Sequence, residues 1–174
     1  MLPILVICLV ISSARSCTLP NPLNETIELQ DLVGIWYTQY TRPGPPINSF
    51  SCWKNVITQE GKSYHIVSSA TNSSGSHVSK SGEISLKPGS RNVIQSPDLN
   101  EREFEYTVLG LLTKQCVIYG GCLPTDDTPV YYVQTTRDSP DDQESATIRS
   151  GLKELDLDLD TFTKNCDNPN EYDK

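Results

Sequence analysis

Gly34-Ile35-Trp36-Tyr37 begins the part of the sequence whose pattern decides the fold. From this point apolar residues recur mostly at every second position, and turn residues interrupt them at intervals of about ten residues, as in short antiparallel strands. Eight such strands predict an all-β fold, either a sandwich or a barrel of short antiparallel strands; a closed barrel of eight strands is just wide enough to hold side chains or one small ligand. The predicted strands are Leu32–Arg42, Ser49–Gln59, Ser63–Thr71, His77–Leu86, Arg91–Gln95, Phe104–Leu112, Gln115–Tyr119 and Val130–Thr136.

One α-helix is predicted after the last strand. Ser139 is a suitable N-cap and Pro140 suits the first helical position. The apolar positions fall on one face at the spacing i, i+4, i+7, so we expect the helix to pack against the outside of the barrel. These positions are Ile148, Leu152 and Leu155. The following segment, Leu155–Leu159, alternates Leu with Asp and is predicted to be a loop or a short strand.

The N-terminal residues predict export. An apolar run from Leu2 to Ile11 is followed by Ala14-Arg15-Ser16, which suits a cleavage point before Cys17, so residues 1–16 are predicted to be a secretory signal. Residues 17–174 then suit a single domain with its own core. No later segment approaches the roughly 18 apolar residues of a membrane helix. We expect a secreted, extracellular protein without a membrane span, and a monomer rather than an oligomer.

The charge of the chain argues against a nucleic-acid partner. The net charge is −8, and no cluster of Lys or Arg is visible along the sequence. A phosphate backbone would therefore be repelled rather than bound.

The cysteines and sequons agree with an exported protein. The mature chain would contain Cys17, Cys52, Cys116, Cys122 and Cys166, an odd set that allows two disulfides and one free thiol. The residues alone leave the pairing open. No two cysteines have a CxxC spacing and the chain has only two histidines, which disfavours a structural metal site. Asn24-Glu25-Thr26 and Asn72-Ser73-Ser74 are glycosylation sequons, which predict glycans on Asn24 and Asn72.

Two stretches resemble the lipocalin family. Gly34-Ile35-Trp36-Tyr37 is similar to the first lipocalin motif. The run Tyr131-Tyr132-Val133-Gln134-Thr135-Thr136-Arg137, with the helix and Cys166 after it, is similar to the family's last strand and C-terminal segment. The resemblance spans residues 17–174 and is strongest to the branch of apolipoprotein D and the arthropod bilin-binding and salivary lipocalins. The family's Thr-Asp-Tyr turn motif is replaced here by Leu111-Leu112-Thr113.

The resemblance implies an all-β, eight-stranded up-and-down antiparallel barrel with the helix packed outside, and it also implies how that barrel is closed and cross-linked. Gly34 would let Trp36 cover the base of the barrel, with the guanidinium of Arg137 laid over the indole as a cation–π contact. By analogy with the same branch, Cys17 would bond to Cys122 and Cys52 to Cys166, and Cys116 would be the free thiol.

Catalytic chemistry finds little support in the sequence. Neither GxSxG nor HExxH is present, so we expect no enzyme. Some lipocalins that isomerise prostaglandins use a free thiol, but the position of Cys116 differs from theirs, which favours a buried, inert thiol. His65 lies on a strand resembling the one that carries the haem-ligating histidine of nitrophorins. A partly exposed strand histidine is far commoner than a haem ligand, so we expect no cofactor.

The favoured function is binding of a small hydrophobic molecule that the barrel carries or sequesters. Aromatic strand residues are the candidate cavity lining, although alternation must turn some of them outward. These candidates are Tyr37, Tyr40, Trp53, Tyr64, Phe104, Tyr106, Tyr131 and Tyr132. One alternative is a salivary-type lipocalin that inhibits a protein target through its outer surface and mouth loops, especially Thr41–Ser49. Another is capture of a biogenic amine, for which Glu103 and Glu105 are the nearest acidic residues.

Overall fold

The computed structural model describes residues 17–24, 26–42, 50–97, 103–123 and 127–172. In these segments, eight antiparallel strands pair in sequence order, and β1 pairs with both β8 and β2, so the sheet closes into the predicted barrel. The strands are β1 (Gly34–Arg42), β2 (Phe50–Glu60), β3 (Ser63–Asn72), β4 (His77–Leu86), β5 (Val93–Pro97), β6 (Glu103–Thr113), β7 (Cys116–Cys122) and β8 (Pro129–Thr135). The predicted signal, residues 1–16, and residues 43–49 of the predicted mouth loop lie outside the described residues.

Strand β7 extends beyond its predicted end at Tyr119, through two glycines to Cys122. A Cβ atom on Gly120 would lie 2.8 Å from the side chain of Leu109, and one on Gly121 would lie 2.5 Å from the ring of Phe104. Glycine weakens a strand pattern in the sequence. Here the missing side chains let large residues of β6 pack across β7, and tertiary packing therefore keeps the strand going.

Trp36 covers the closed end of the barrel, as the first motif predicts. Its side chain is 1% exposed, and its indole Nε1 donates a hydrogen bond to the carbonyl of Leu32, at 2.7 Å. Leu32 ends a 3-10 turn over Leu29–Leu32 that crosses the base. Gly34 links this turn to β1 with a φ of 141°, a conformation that a residue with a Cβ rarely adopts. The turn, the glycine and the indole together close this end.

The expected contact of Arg137 with the indole is not observed. The Arg137 guanidinium pairs with the carboxylate of Asp141 and lies 3.6 Å from that of Glu144. The cation–π contacts found in the described part of the chain are those of Arg42 with Tyr131 and Lys54 with Tyr37. The carboxylates at the start of the helix bind the charge more strongly than an aromatic face does, and Arg137 therefore ties the end of β8 to the helix.

The C-terminal helix, α1, covers Asp142–Glu154 and packs outside the barrel as predicted. Its N-cap is Asp141 rather than the predicted Ser139. The Asp141 side chain accepts from the backbone N–H of Glu144 at 2.9 Å, and the Glu144 side chain accepts from that of Asp141 at 3.0 Å. Such a reciprocal box satisfies two amide groups at once, which one serine cannot do. Leu155–Leu159 forms a turn that leads into a 3-10 turn at Leu159–Thr161.

A short ninth strand, β9 (Thr163–Lys164), was not predicted, and it fills a gap in the barrel wall. Strand β1 pairs with β2 only as far as Tyr37, and then with β9 at Tyr40 and Thr41. Asn165 bridges the two separated strands, donating its N–H to Gln39 of β1 at 2.9 Å and accepting the N–H of Cys52 of β2 at 3.0 Å. We call this gap, closed by β9 and Asn165, the seam.

The side chain of Asn165 strengthens the seam. Its Oδ1 accepts from the backbone N–H of Trp53 at 2.9 Å, and its Nδ2 donates to the carbonyl of Phe50 at 3.3 Å. The disulfide between Cys52 and Cys166 lies immediately beside these bonds. The C-terminal segment thus fixes the backbone at Trp53, a residue of the barrel interior.

Both disulfides have the pairing implied by the resemblance, Cys17 with Cys122 and Cys52 with Cys166. Cys116 is a free thiol and is 1% exposed, between the barrel and α1. Burial, with a smaller contribution from the charge of Glu144, raises the pKa of Cys116 to about 12. The thiol is therefore protonated at neutral pH and lies outside the barrel interior, unlike a catalytic thiolate.

Candidate functional site

The barrel encloses a small cavity. The centres of water-sized molecules can occupy about 50 Å³ of it. A single water needs about 10–15 Å³ on this scale, so the cavity suits a few waters or one small molecule. Larger ligands require its walls to move. The residues that line it are Trp53, Asn55, Ile57, Ile66, Ser68, Ile84, Ile94, Ser96, Pro97, Tyr106, Tyr119, Tyr132 and Gln134.

One wall of the cavity is aliphatic and the other is aromatic. Strands β2 to β5 each supply an isoleucine, whereas the rings come from β2, β6, β7 and β8. The Tyr132 ring lies 5.6 Å from Trp53 and 5.9 Å from Tyr106, and Tyr106 lies 6.4 Å from Tyr119, all in edge-to-face geometry. Such pairs hold each other in fixed orientations. The cavity therefore has a rigid aromatic side against which a flat ligand can pack.

Burial changes the acidity of one phenol in this wall, that of Tyr119. Desolvation, and secondarily the neighbouring Tyr106, raise the pKa of Tyr119 well above its usual value. Tyr119 therefore acts as a neutral hydroxyl at physiological pH.

Two amide side chains of the cavity differ in how fully they are bonded. Asn55 Oδ1 accepts from Trp53 Nε1 at 3.0 Å and from Ser68 Oγ at 2.7 Å, so the protein itself uses this acceptor. Gln134 Nε2 donates to Thr38 Oγ1 on β1 at 3.0 Å. Its Oε1, in contrast, is buried and has no hydrogen-bond partner.

The structure separates the eight predicted lining residues into three groups. Trp53, Tyr106 and Tyr132 line the cavity. Phe104 and Tyr64 pack in the interior core without lining the cavity, and the ring of Phe104 lies 4.6 Å from that of Tyr106.

The third group lies on the outer side of the barrel, which corrects the prediction for its three members. Tyr37 packs edge-on against Tyr172 at 4.9 Å. Tyr131 lies 6.3 Å from the ring of Phe162, and Tyr40 packs with the same outer cluster beside α1. Because neighbouring residues on a strand face opposite sides, an inward Trp36 turns Tyr37 outward and an inward Tyr132 turns Tyr131 outward.

The residues of the alternative chemistries also lie outside the cavity. His65 follows the outward phase of β3, between inward Tyr64 and Ile66; its side chain is 41% exposed, and its Nε2 lies 3.9 Å from a carboxylate oxygen of Glu60. A group bound inside the barrel cannot reach it. Glu105 pairs with Lys87 at 2.7 Å on the surface, and Glu103 is also exposed. No Asp or Glu is among the described residues that line the cavity.

The prediction from aromatic strand residues left out the aliphatic and polar residues of the lining, and it also left out Tyr119 of β7. The alternation that starts at Trp53 also points Asn55 and Ile57 inward, and the alternation that starts at Tyr132 points Gln134 inward. The sequence contained this signal. What it lacked was the phase of each strand, which decides whether such a set faces the cavity or the solvent.

Two further features, a cluster of metal-binding side chains and a membrane-spanning helix, are absent from the described segments. No group of three or more His, Cys, Asp or Glu side chains there is placed to hold a metal ion. None of the helices in those segments has the length and apolarity needed to cross a membrane.

Comparisons with known proteins agree on the fold. No family model and no curated protein matches the sequence. Among solved structures, the chain is similar to the cockroach major allergen Per a 4, with a TM-score of 0.71 and 19% identity over 87% of this chain and 94% of that one. Insecticyanin from the tobacco hornworm Manduca sexta has a TM-score of 0.71 and 17% identity, over 86% of this chain and 85% of that one.

A third likeness is to the amine binding protein of Rhodnius prolixus in its tryptamine complex. Here the TM-score is 0.65 and the identity 16%, over 86% of both chains. Sequence identities this low show a shared fold and do not identify the ligand. With its closed eight-stranded ring and a C-terminal helix packed outside, the chain has the lipocalin fold.

Proposed function

We propose that this protein binds one small, largely apolar molecule in the barrel cavity and carries or sequesters it. The observation that supports this proposal is the lining itself: its described residues combine four isoleucines and four aromatic rings with a few polar groups, and none of them carries a charge. Ligand pockets have this composition: apolar walls supply affinity and a few polar groups fix orientation. Tyr106 and Tyr132, which stand against each other at 5.9 Å, would form the contact wall.

The size of the cavity limits the affinity that apolar contact alone supplies. Burying about 200 Å² of ligand surface, roughly one aromatic ring, yields about 5 kcal/mol at about 25 cal/mol per Å². That corresponds to a Kd of about 0.2 mM before the cost of immobilising the ligand. Tighter binding needs either a movement of the walls that admits a larger ligand, or a specific polar contact.

The test is a titration of the full mature chain with p-xylene, followed by native mass spectrometry and by tryptophan fluorescence. We expect one ligand per chain and quenching of Trp53, with Trp36, buried at the closed end, unaffected. Ser96→Leu should abolish binding because Ser96 lines the cavity and a leucine would fill it. Ser81→Leu, the same change on an exposed position of β4, is the matched control.

A second candidate, inhibition of a protein target through the mouth loops, is favoured by one observation. Part of the interior is filled by the protein's own side chains, since Phe104 packs on Gly121 and a Cβ on Gly82 would meet the ring of Pro97 at about 2.2 Å. If neither p-xylene nor fatty acids, retinoids or bilins bind, this candidate replaces the carrier. Residues 41–49 are then the first to mutate, because functional contacts concentrate on loops.

We also propose that the chain is exported, cleaved before Cys17 and glycosylated on Asn24 and Asn72. The two disulfides support export, because such bonds persist in oxidising compartments. Asn72 lies at the turn between β3 and β4, where its Oδ1 accepts from the backbone N–H of Ser74 and Ser76. Intact-mass analysis of the protein secreted by a eukaryotic host should find Cys17 as the first residue and a loss of mass on deglycosylation. An uncleaved, intracellular product would contradict the proposal.

A further inference from the structure

One hydrogen-bond acceptor of the cavity has no donor within the protein. Gln134 is 4% exposed, lines the cavity from β8, and has an Oε1 that is buried without a donor. Burying an acceptor in this way costs free energy, and native structures rarely leave one unpaired. Among the described residues only Glu144 Oε1, on α1 outside the barrel, shares this condition.

The orientation of the Gln134 amide is set by a neighbouring strand. Thr38 lies opposite Gln134 in the pairing of β1 with β8, and its Oγ1 accepts from Gln134 Nε2 at 3.0 Å. Thr38 is itself held in place, because its carbonyl accepts from the hydroxyl of Tyr172 at 2.6 Å. With Nε2 bonded to the wall, the carbonyl end of the amide is the part left for a ligand.

The surroundings of this oxygen narrow the class of ligand. Tyr132, two residues before Gln134 on β8, faces the same cavity and stands edge-to-face with Trp53 and Tyr106. No Asp, Glu, Lys or Arg is among the described lining residues. An ion would lose its hydration without meeting an opposite charge. A flat, neutral molecule would not suffer this loss and could pack against the rings.

We propose that the cavity binds a small neutral aromatic molecule that donates one O–H or N–H to Oε1 of Gln134. This inference rests on the proposed function and names its ligand class. The donor pairs the leftover acceptor, and the ring packs against the wall formed by Trp53, Tyr106 and Tyr132.

The experiment compares p-cresol with p-xylene, which match in shape and differ by an O–H in place of a methyl group. Kd values are measured for the full mature chain and for Gln134→Met, which keeps the length of the side chain and removes the amide. The ratio of the p-xylene Kd to the p-cresol Kd should fall at least tenfold in Gln134→Met. Gln95→Met, the same substitution on β5 where the side chain bonds to exposed Glu105, should leave the ratio unchanged.

Two comparisons need only the unmodified protein and apply even if Gln134→Met does not fold. p-Cresol should bind at least tenfold more tightly than 4-methylanisole, which keeps the oxygen but has no donor. Benzyl alcohol should bind at least tenfold more tightly than benzylamine, which is protonated at neutral pH. Equal binding in the first pair, or tighter binding of the amine in the second, would overturn the inference.

The outcomes separate this inference from the proposed function. If p-xylene binds while the ratio is the same in Gln134→Met and in the unmodified protein, the assignment of Gln134 fails and the cavity remains a ligand site. If none of the five compounds, p-xylene included, binds, the proposed function fails and the inference with it.

Discussion

The interior of the barrel and the layer between the barrel and α1 are both buried, but they differ in composition. The outer layer is closely packed by aliphatic side chains that have no exposed surface, namely Leu109, Ile118, Val133, Ile148 and Leu152. The interior combines rings with amides and hydroxyls and keeps a cavity. Close packing is the condition for stability, and a pocket with placed polar groups is the condition for binding. The comparison therefore assigns stability to the outer layer and binding to the cavity, with Trp36 as the closed base of the interior.

The largest effect is expected at the base. Trp36→Ala should lower the free energy of unfolding by about 3–5 kcal/mol, because it removes a buried indole and leaves the carbonyl of Leu32 without its donor. Urea denaturation followed by circular dichroism measures the change. Arg137→Ala is the contrasting variant: the Arg137 side chain is half exposed and its removal takes away no buried aromatic surface, so its loss of stability should be clearly smaller than that of Trp36→Ala. Equal losses of unfolding free energy in the two variants would contradict this assignment and would support the cation–π contact of Arg137 with Trp36.

The next effect separates the two layers. Leu152→Ala should cost about 2–5 kcal/mol of stability because it opens a void between α1 and the barrel. The Kd for p-xylene should change less than twofold, since Leu152 lies on the other side of the wall. Ser96→Leu should show the opposite pattern, with binding lost and a smaller change in the denaturation midpoint. Parallel losses of stability and binding in both variants would show that the two layers act as one unit.

Asn165 connects the outside of the barrel to the cavity. Asn165→Ala should lower the free energy of unfolding by about 1–3 kcal/mol, because it leaves the backbone groups of Trp53 and Phe50 without partners in the seam. It should also weaken p-xylene binding, since the backbone that positions Trp53 is released. Asn170→Ala, on an exposed residue of the same C-terminal segment, is the control. Unchanged denaturation and binding in Asn165→Ala would mean that the disulfide alone holds the seam.

The smallest effect concerns the thiol of the outer layer. The Cys116 pKa is raised from 9.0 to about 12, so the unfolded chain loses this proton first as the pH rises. Stability from this group is present below pH 9 and is lost between pH 9 and 12, about 1 kcal/mol of it by pH 10. The stability of Cys116→Ala should therefore fall less steeply over pH 8–10. Rapid labelling of Cys116 in the native protein at pH 8 would contradict its burial.

Local patterns carried much of the architecture. Alternation and turn residues placed all eight barrel strands, including β4 at its observed ends, because pleated strands with one buried face repeat at every second residue. The apolar face of α1 was equally readable, since Ile148 and Leu152 have helical spacing. The disulfide pairs came from the family resemblance and not from spacing.

The sequence by itself thus determined eight short antiparallel strands and an amphipathic helix after them, because both depend on periodicity within one segment. Closure of the strands into a barrel was implied by the family resemblance, since it depends on the pairing of β1 with the distant β8. Only the tertiary structure decided which phase of each strand faces inward. Irregular pairing between Thr38 and Tyr40, and between Ser51 and Lys54, shifts that phase at the seam, where Cys52 adopts a φ of 50°. The unpaired oxygen of Gln134 likewise depends on Thr38, which is 96 residues away in the chain. Contacts between distant segments set these features, and no local pattern contains them.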